Sequence, residues 1–293
     1  MQLGQKVRPY VALIRLPYIL VLDLVCVLFI VTFQKGFYEL ERMVLAVVTV
    51  ALVTAGSAAV NDYYDRDSDA LTHPERPIPA QRISAARAIR FSALTFLAGL
   101  ATSLMINVVA FGIVALNVAL FILYPRVIKR FSGFLSNLVM GYLGATIVLF
   151  AGAVVFQTIN AASLSFVCLI AGGAIGLNVL KDILTLEGDL KVGYPTLAAK
   201  YGVRLAASVG AIFLLLSAIT SLLPFFVGVV GVAYIFPITV WGVVVVVTAL
   251  PLLKAPSVQN VQKRLRTFNT FFPYLVGVAC VVYILPFAVW GAP

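Results

Sequence analysis

The sequence predicts an all-α membrane protein of about nine transmembrane helices, and three observations predict it. The 293 residues are 62% hydrophobic and 11% charged, against roughly 25% charged in an ordinary soluble domain. The apolar residues gather in stretches of about 20, the helix length that ~30 Å of hydrocarbon requires at ~1.5 Å per residue. With nine such stretches the cations segregate: of 21 Lys and Arg, all but Lys35 and Arg42 fall on the side of the N-terminus. The positive-inside rule then places the N-terminus in the cytoplasm and the C-terminus outside the cell membrane. An even number of spans scrambles this segregation.

The spans read at 11–33, 43–61, 88–107, 109–125, 134–156, 162–182, 204–223, 227–250 and 268–291. The third and fourth part only around Asn107, and the seventh and eighth near Pro224, so each pair is expected to be a tight helical hairpin. Residues 1–9 are polar and basic, but the apolar stretch behind them is span-length, which argues against a cleavable signal peptide. Cys26, Cys168 and Cys280 each lie in an apolar segment without metal-ligand or CxxC spacing, and His73 is the sole histidine. These read as small packed side chains rather than as a metal or haem site. The net charge of +10 is mostly a topology signal, so no nucleic-acid partner is implied. No obligatory protein partner is evident either.

The acids are distributed differently. Glu39 and Glu41 lie in an outer connection and Asp23 lies inside the first span. The other eight of the 11 acids form two groups: Asp62, Asp65, Asp67, Asp69 and Glu75 after span two, and Asp182, Glu187 and Asp189 after span six. Acids contribute little to topology, so insertion does not account for the concentration. On a continuing helix Asn61, Asp65 and Asp69 fall at i, i+4 and i+8, with Asp62 beside them, on one broad face. Asp67 falls elsewhere and reads as solvated or paired with an arginine. Asp182 and Asp189, at i and i+7, share a second face, with Thr185 between them. Carboxylates gathered on one face repel unless cations lie among them. Oxygen ligands suit hard cations, and Mg²⁺ characteristically takes one or two carboxylates and completes its octahedron with water and phosphate oxygens. Two acidic faces could therefore hold a diphosphate through bridging Mg²⁺. Arg76, Arg82, Lys129, Arg130 and Lys181 stand nearby to neutralise the remaining charge.

The stretch "NDYYDRDSD" (61–69) resembles the N-D-x-x-D-x-x-x-D motif of the UbiA superfamily of intramembrane prenyltransferases. "RPIPAQRIS" (76–84) is similar to its R-P-[IL]-P-x-x-x-I-S continuation. "YPRVIKRFSGFLSNLVMGYLGA" (124–145) and "KDILTLEGDLKVGYPTLA" (181–198) resemble two further family segments. Thr185 stands where many members carry a carboxylate. The resemblance covers essentially the whole chain, as one prenyltransferase domain over 1–293 with helices ringed around a central cavity and a polar cytoplasmic cap. It implies Mg²⁺-dependent transfer of a prenyl group from a prenyl diphosphate to a lipid or aromatic acceptor. Carried over residue by residue, it makes Asn61, Asp65 and Asp69 one metal–diphosphate face, with Asp62 as a further candidate ligand. Asp182 and Asp189 form the other. Lys129 and Arg76, then Arg82, Arg130 and Lys181, become diphosphate contacts, and Asn137 and Tyr142 line the cavity.

Two acceptors fit that resemblance. One is geranylgeranylglyceryl phosphate, alkylated by geranylgeranyl diphosphate as in ether-lipid synthesis. The other is an aromatic such as 4-hydroxybenzoate, on the route to quinones. The RPIP continuation and the Ala- and Val-rich helices favour the first. Asp23 lines an acceptor pocket, pairs with Arg15 two turns away, or is structural; an ionisable group at that depth is a functional hypothesis by default. A secondary transporter is the reading from another class, since the acidic segments recur about 120 residues apart. Transporter sites lie near the bilayer midplane, however, and these acids lie at its edge.

Overall fold

The computed structural model describes residues 2–283, with side chains described over 8–271 apart from residues 68, 71, 72 and 192. In chain order the helices are α1 (Gln2–Ile14), α2 (Leu16–Gln34), α3 (Leu40–Thr72), α4 (Ala85–Ile106), α5 (Val108–Leu123), α6 (Lys129–Phe131), α7 (Gly133–Phe156), α8 (Ala161–Leu184), α9 (Leu186–Val192), α10 (Leu197–Thr220), α11 (Leu223–Phe226), α12 (Ile235–Lys254) and α13 (Val258–Tyr283). A π-helical turn, Tyr124–Ile128, joins α5 to α6, and a 3-10 turn, Val232–Tyr234, precedes α12.

Among the described residues eight helical segments are long and apolar enough to cross a membrane, the first at Leu16–Gln34 and the last at Val232–Lys254. They match the first eight stretches read from the sequence. The ninth, 268–291, runs past Tyr283 and so lies partly outside the described residues.

The first span starts later than hydropathy alone suggests. Pro17 follows Arg15 closely, and a proline both lacks an N–H and clashes with the preceding turn. The chain breaks at Arg15, which adopts φ 52° and ψ 54°, and α1 becomes a separate helix. Tyr10 and Leu13 of α1 pack with Ala59, Ile83 and Ala88, which places α1 against α3 and α4. The two expected hairpins are present. Asn107 ends α4 and starts α5, accepting from the Ala110 N–H and donating to the Ala153 carbonyl at 2.8 Å each. The turn after α10 contains α11, with Pro224 in its first turn.

Length positions the acids. At ~1.5 Å per residue the 33 residues of α3 extend roughly 50 Å, well beyond a ~30 Å hydrocarbon layer. The helix therefore carries its last turns, Asn61 to Asp69, out of the apolar layer.

The packing falls into two lobes. Ile30, Val53, Phe96, Val114 and Val148 belong to one apolar cluster, built mainly from α2, α3, α4, α5 and α7. Val179, Leu214, Val245 and Leu265 belong to another, built from α8, α10, α12 and α13. Contact between α7 and α8 joins them. With lipid as apolar as the interior, helices associate through close fit, which small residues permit. A Cβ on Gly176 would stand 2.7 Å from the Gly210 carbonyl, so α8 and α10 meet there backbone to backbone.

Candidate active site at one end of the bundle

Both acidic groups lie at the same end of the bundle, and Lys129 stands between them. On α3, Asn61 donates to Asp65 Oδ2 at 3.0 Å, one helical turn on. Lys129 Nζ is 3.6 Å from Asp65 Oδ1. The same ammonium lies 4.8 Å from the centre of the Tyr194 ring, on the segment after α9. Asp189 on α9 also feels the Lys129 charge. The π-helical turn sets this position: the Lys129 N–H reaches back five residues to the Tyr124 carbonyl, widening the turn before α6. Such turns occur frequently at functional sites. Tyr124 accepts a hydrogen bond from Ser136 at 3.0 Å, tying the turn to α7.

The second face is assembled from three elements. Asn137 on α7, 3% exposed, donates to Asp182 Oδ2 at 2.9 Å. Thr185 donates to Asp189 Oδ2 at 2.9 Å. The expectation of one continuous helical face is corrected here: α8 ends at Leu184, Thr185 adopts φ −100° and ψ 7°, and α9 starts anew. Asp182 and Asp189 therefore lie on separate helices, and the Thr185 hydroxyl orients Asp189. Burial pushes the Asp189 carboxyl above the usual carboxylate range, while the Thr185 hydrogen bond and the Lys129 charge oppose the rise. Gly133 closes the arrangement, donating to the Pro195 carbonyl at 3.0 Å. A Cβ there would stand 2.4 Å from Thr196 Cα.

Asp62, 2% exposed, is clamped by Arg15 and Arg76, the latter at 3.7 Å. Arg76 also pairs with Asp69 at 2.6 Å. Arg82 donates to the Glu75 carbonyl, closing the 75–82 loop. Arg130 and Lys181 are exposed and make no ion pair with either acidic group among the described residues. Tyr142 is half-buried, five residues beyond Asn137, and does not hydrogen-bond to the acids. Asp67 is exposed, 3.7 Å from Arg66, as read from its position on the helix. The Asp23–Arg15 pairing is not formed: Arg15 turns to Asp62, and Asp23 Oδ1 is buried without a partner among the described residues.

Sequence reasoning did not assign Arg15, Tyr124 or Tyr194 to this site. Tyr124 and Tyr194 lie within stretches already singled out, and that was their available signal. Arg15 gave none, because its partner lies 47 residues away.

A small, half-open cavity among α2, α3, α5 and α7 is lined by Leu22, Val53, Asn117, Phe121 and Leu143 among others. Its chemistry is mostly aliphatic and aromatic. The arrangement thus brings hard oxygen donors and cations together at one end of the bundle.

A family model described as the UbiA prenyltransferase family matches residues 24–275. The chain belongs to the UbiA prenyltransferase family. It is 37% identical over 205 residues to the digeranylgeranylglyceryl phosphate synthase of Methanosarcina mazei, covering 70% of each chain. Its fold is similar to that of a solved structure described as a digeranylgeranylglyceryl phosphate synthase in membranes. That similarity has a TM-score of 0.82 at 24% identity and covers 96% of this chain and 98% of that one. A UbiA homologue from Archaeoglobus fulgidus bound to DMAPP and Mg²⁺ also shares the fold, with a TM-score of 0.68 at 16% identity, covering 93% and 99%.

The donor set here fits a hard divalent cation in kind, being carboxylate and amide oxygen. Among the described residues no three acids converge on one point, because each is held by a cation, an amide or a hydroxyl. That suits Mg²⁺, which is bound through one or two carboxylates plus substrate phosphates rather than by an all-protein cage.

Proposed function

We propose that this protein transfers the geranylgeranyl group of geranylgeranyl diphosphate to the free hydroxyl of geranylgeranylglyceryl phosphate. The observation that carries the reaction class is Lys129, paired with Asp65 of the first acidic group and set over Tyr194 beside the second. The similarity to digeranylgeranylglyceryl phosphate synthases supports the choice of donor and acceptor.

In this reading Asn61, Asp65 and Asp69 hold Mg²⁺ on one side of the diphosphate, and Asp182 and Asp189 hold it on the other. Mg²⁺, when bound, supplies positive charge to the leaving diphosphate. Lys129 and Arg76 leave their carboxylates to contact the diphosphate oxygens, adding fixed charge where the anion develops. Asn137 and Thr185 keep Asp182 and Asp189 aimed inward. Arg15 holds Asp62, which acts through the geometry of α3 rather than as a ligand. The cavity takes the prenyl tail and keeps water from the allylic cation once the C–O bond breaks. The concentration of cations at the site end of the helices supports a cytoplasmic mouth and N-terminus.

The test is a product assay on full-length protein in detergent with Mg²⁺ and radiolabelled geranylgeranyl diphosphate. Geranylgeranylglyceryl phosphate is offered in one tube and 4-hydroxybenzoate in another. Label on the glyceryl phosphate is the expected result. Label on the aromatic alone overturns the acceptor and retains the chemistry. Transfer without added Mg²⁺ in the presence of a chelator overturns the metal assignment.

A further inference from the structure

The cavity is mostly apolar, with Thr49, Thr54, Asn117 and Thr146 as its polar lining. Asn117 of α5 is 7% exposed, lines the cavity, and its side-chain oxygen has no hydrogen-bond partner among the described residues. Thr54 of α3 and Thr146 of α7 line the same cavity. Counted along their helices at ~1.5 Å per residue, Thr54 lies roughly 10 Å below Asn61, Asn117 roughly 10 Å below Tyr124, and Thr146 roughly 14 Å below Asn137. They form a loose polar collar, spread over about one helical turn. Buried amides in folded proteins are almost always hydrogen-bonded, and an unpartnered one costs free energy that a bound group can recover.

We propose that Asn117 selects a polyunsaturated isoprenoid tail over a saturated one. The inference rests on the donor reading above. The tail of a twenty-carbon prenyl diphosphate passes this level, and its double bonds recur with every isoprene unit. One alkene therefore comes to the collar whatever the small shifts in register. An alkene presents a π face to an amide N–H and a vinylic C–H, a better donor than an alkyl C–H, to an amide oxygen. A saturated tail offers neither and covers the Asn117 side-chain oxygen without satisfying it. Such weak contacts predict a modest preference, about two- to five-fold in affinity.

The test measures binding rather than turnover. Full-length protein with Mg²⁺ and no acceptor is titrated with geranylgeranyl diphosphate and with phytyl diphosphate, the same allylic diphosphate with its three distal double bonds reduced. The expected result is two- to five-fold tighter binding of the unsaturated donor. In Asn117→Leu the two affinities converge, mainly through a gain for phytyl diphosphate, and in Asn117→Gln, which keeps the amide, a preference remains. Equal affinities in the unsubstituted protein, or a preference that Asn117→Leu leaves intact, overturn the inference. Tight donor binding with no transfer to the glyceryl phosphate overturns the acceptor reading and leaves this one to the affinity ratio.

Discussion

Replacing Lys129 with Met removes one charge and nearly keeps the volume. Lys129 Nζ lies 3.6 Å from Asp65 Oδ1 and 4.8 Å from the Tyr194 ring centre. At an effective dielectric of about 20, a unit pair at that distance interacts by roughly 4–5 kcal/mol before desolvation is counted. The side chains are 33% and 19% exposed, so solvent screening lowers the usable part. Loss of one preorganised contact to a developing anion costs about 2.7–4 kcal/mol. Lys129→Met is therefore expected to lower kcat/KM by on the order of 10²–10³-fold. Binding of the metal alone should move the other way. Without the ammonium the two acidic groups repel, and a bare divalent cation relieves that repulsion. Titration calorimetry on the variant should show Mg²⁺ binding more tightly, and inorganic diphosphate with Mg²⁺ binding more weakly, than in the unsubstituted protein. A fall in kcat/KM of less than threefold, or weaker binding of Mg²⁺ alone, would refute the placement of Lys129 between the two faces.

Four further outcomes are expected. Asp65→Ala and Asp182→Ala should abolish Mg²⁺-dependent transfer while the protein elutes as a folded species. Asp67→Ala, at an exposed carboxylate, should leave transfer within about twofold, since surface ion pairs contribute little. Thr185→Val removes the hydrogen bond that favours the ionised form of Asp189. The Asp189 carboxyl then rises further above its usual range, so the acidic limb of the pH–activity profile shifts upward, and Mg²⁺ affinity falls by about 10–100-fold. Gly133→Ala places a Cβ within 2.4 Å of Thr196 Cα, forcing α7 away from the Tyr194 segment. A drop in kcat with a lowered Tm is expected, and unchanged activity would show that this close approach does not matter.

The spans, their order and both hairpins were legible in the sequence because each rests on a local quantity. Hydropathy over about 20 residues marks a helix, and Asn107 and Pro224 mark its interruption. The break at Arg15 was less legible, since it lies within a continuous apolar run and depends on the clash of the Pro17 ring with the turn before it. The acidic faces divided in the same manner. Asn61 and Asp65 are joined within one helix, as their spacing predicts. Asp182 and Asp189 were placed on one helix by the same arithmetic, which assumes that the helix continues. It does not continue through Thr185.

The sequence by itself determined that this is a polytopic helical membrane protein of the UbiA family. Its two acidic segments are fixed at span ends, because insertion energetics and residue chemistry are properties of short stretches. Only the tertiary structure decided which charges meet. Arg15 finds Asp62 rather than Asp23, Lys129 spans from Asp65 to Tyr194, and Asn117 is left without a partner among the described residues for its side-chain oxygen beside the cavity. Each of these outcomes depends on helix rotation and on packing between distant segments, which no short stretch of sequence sets.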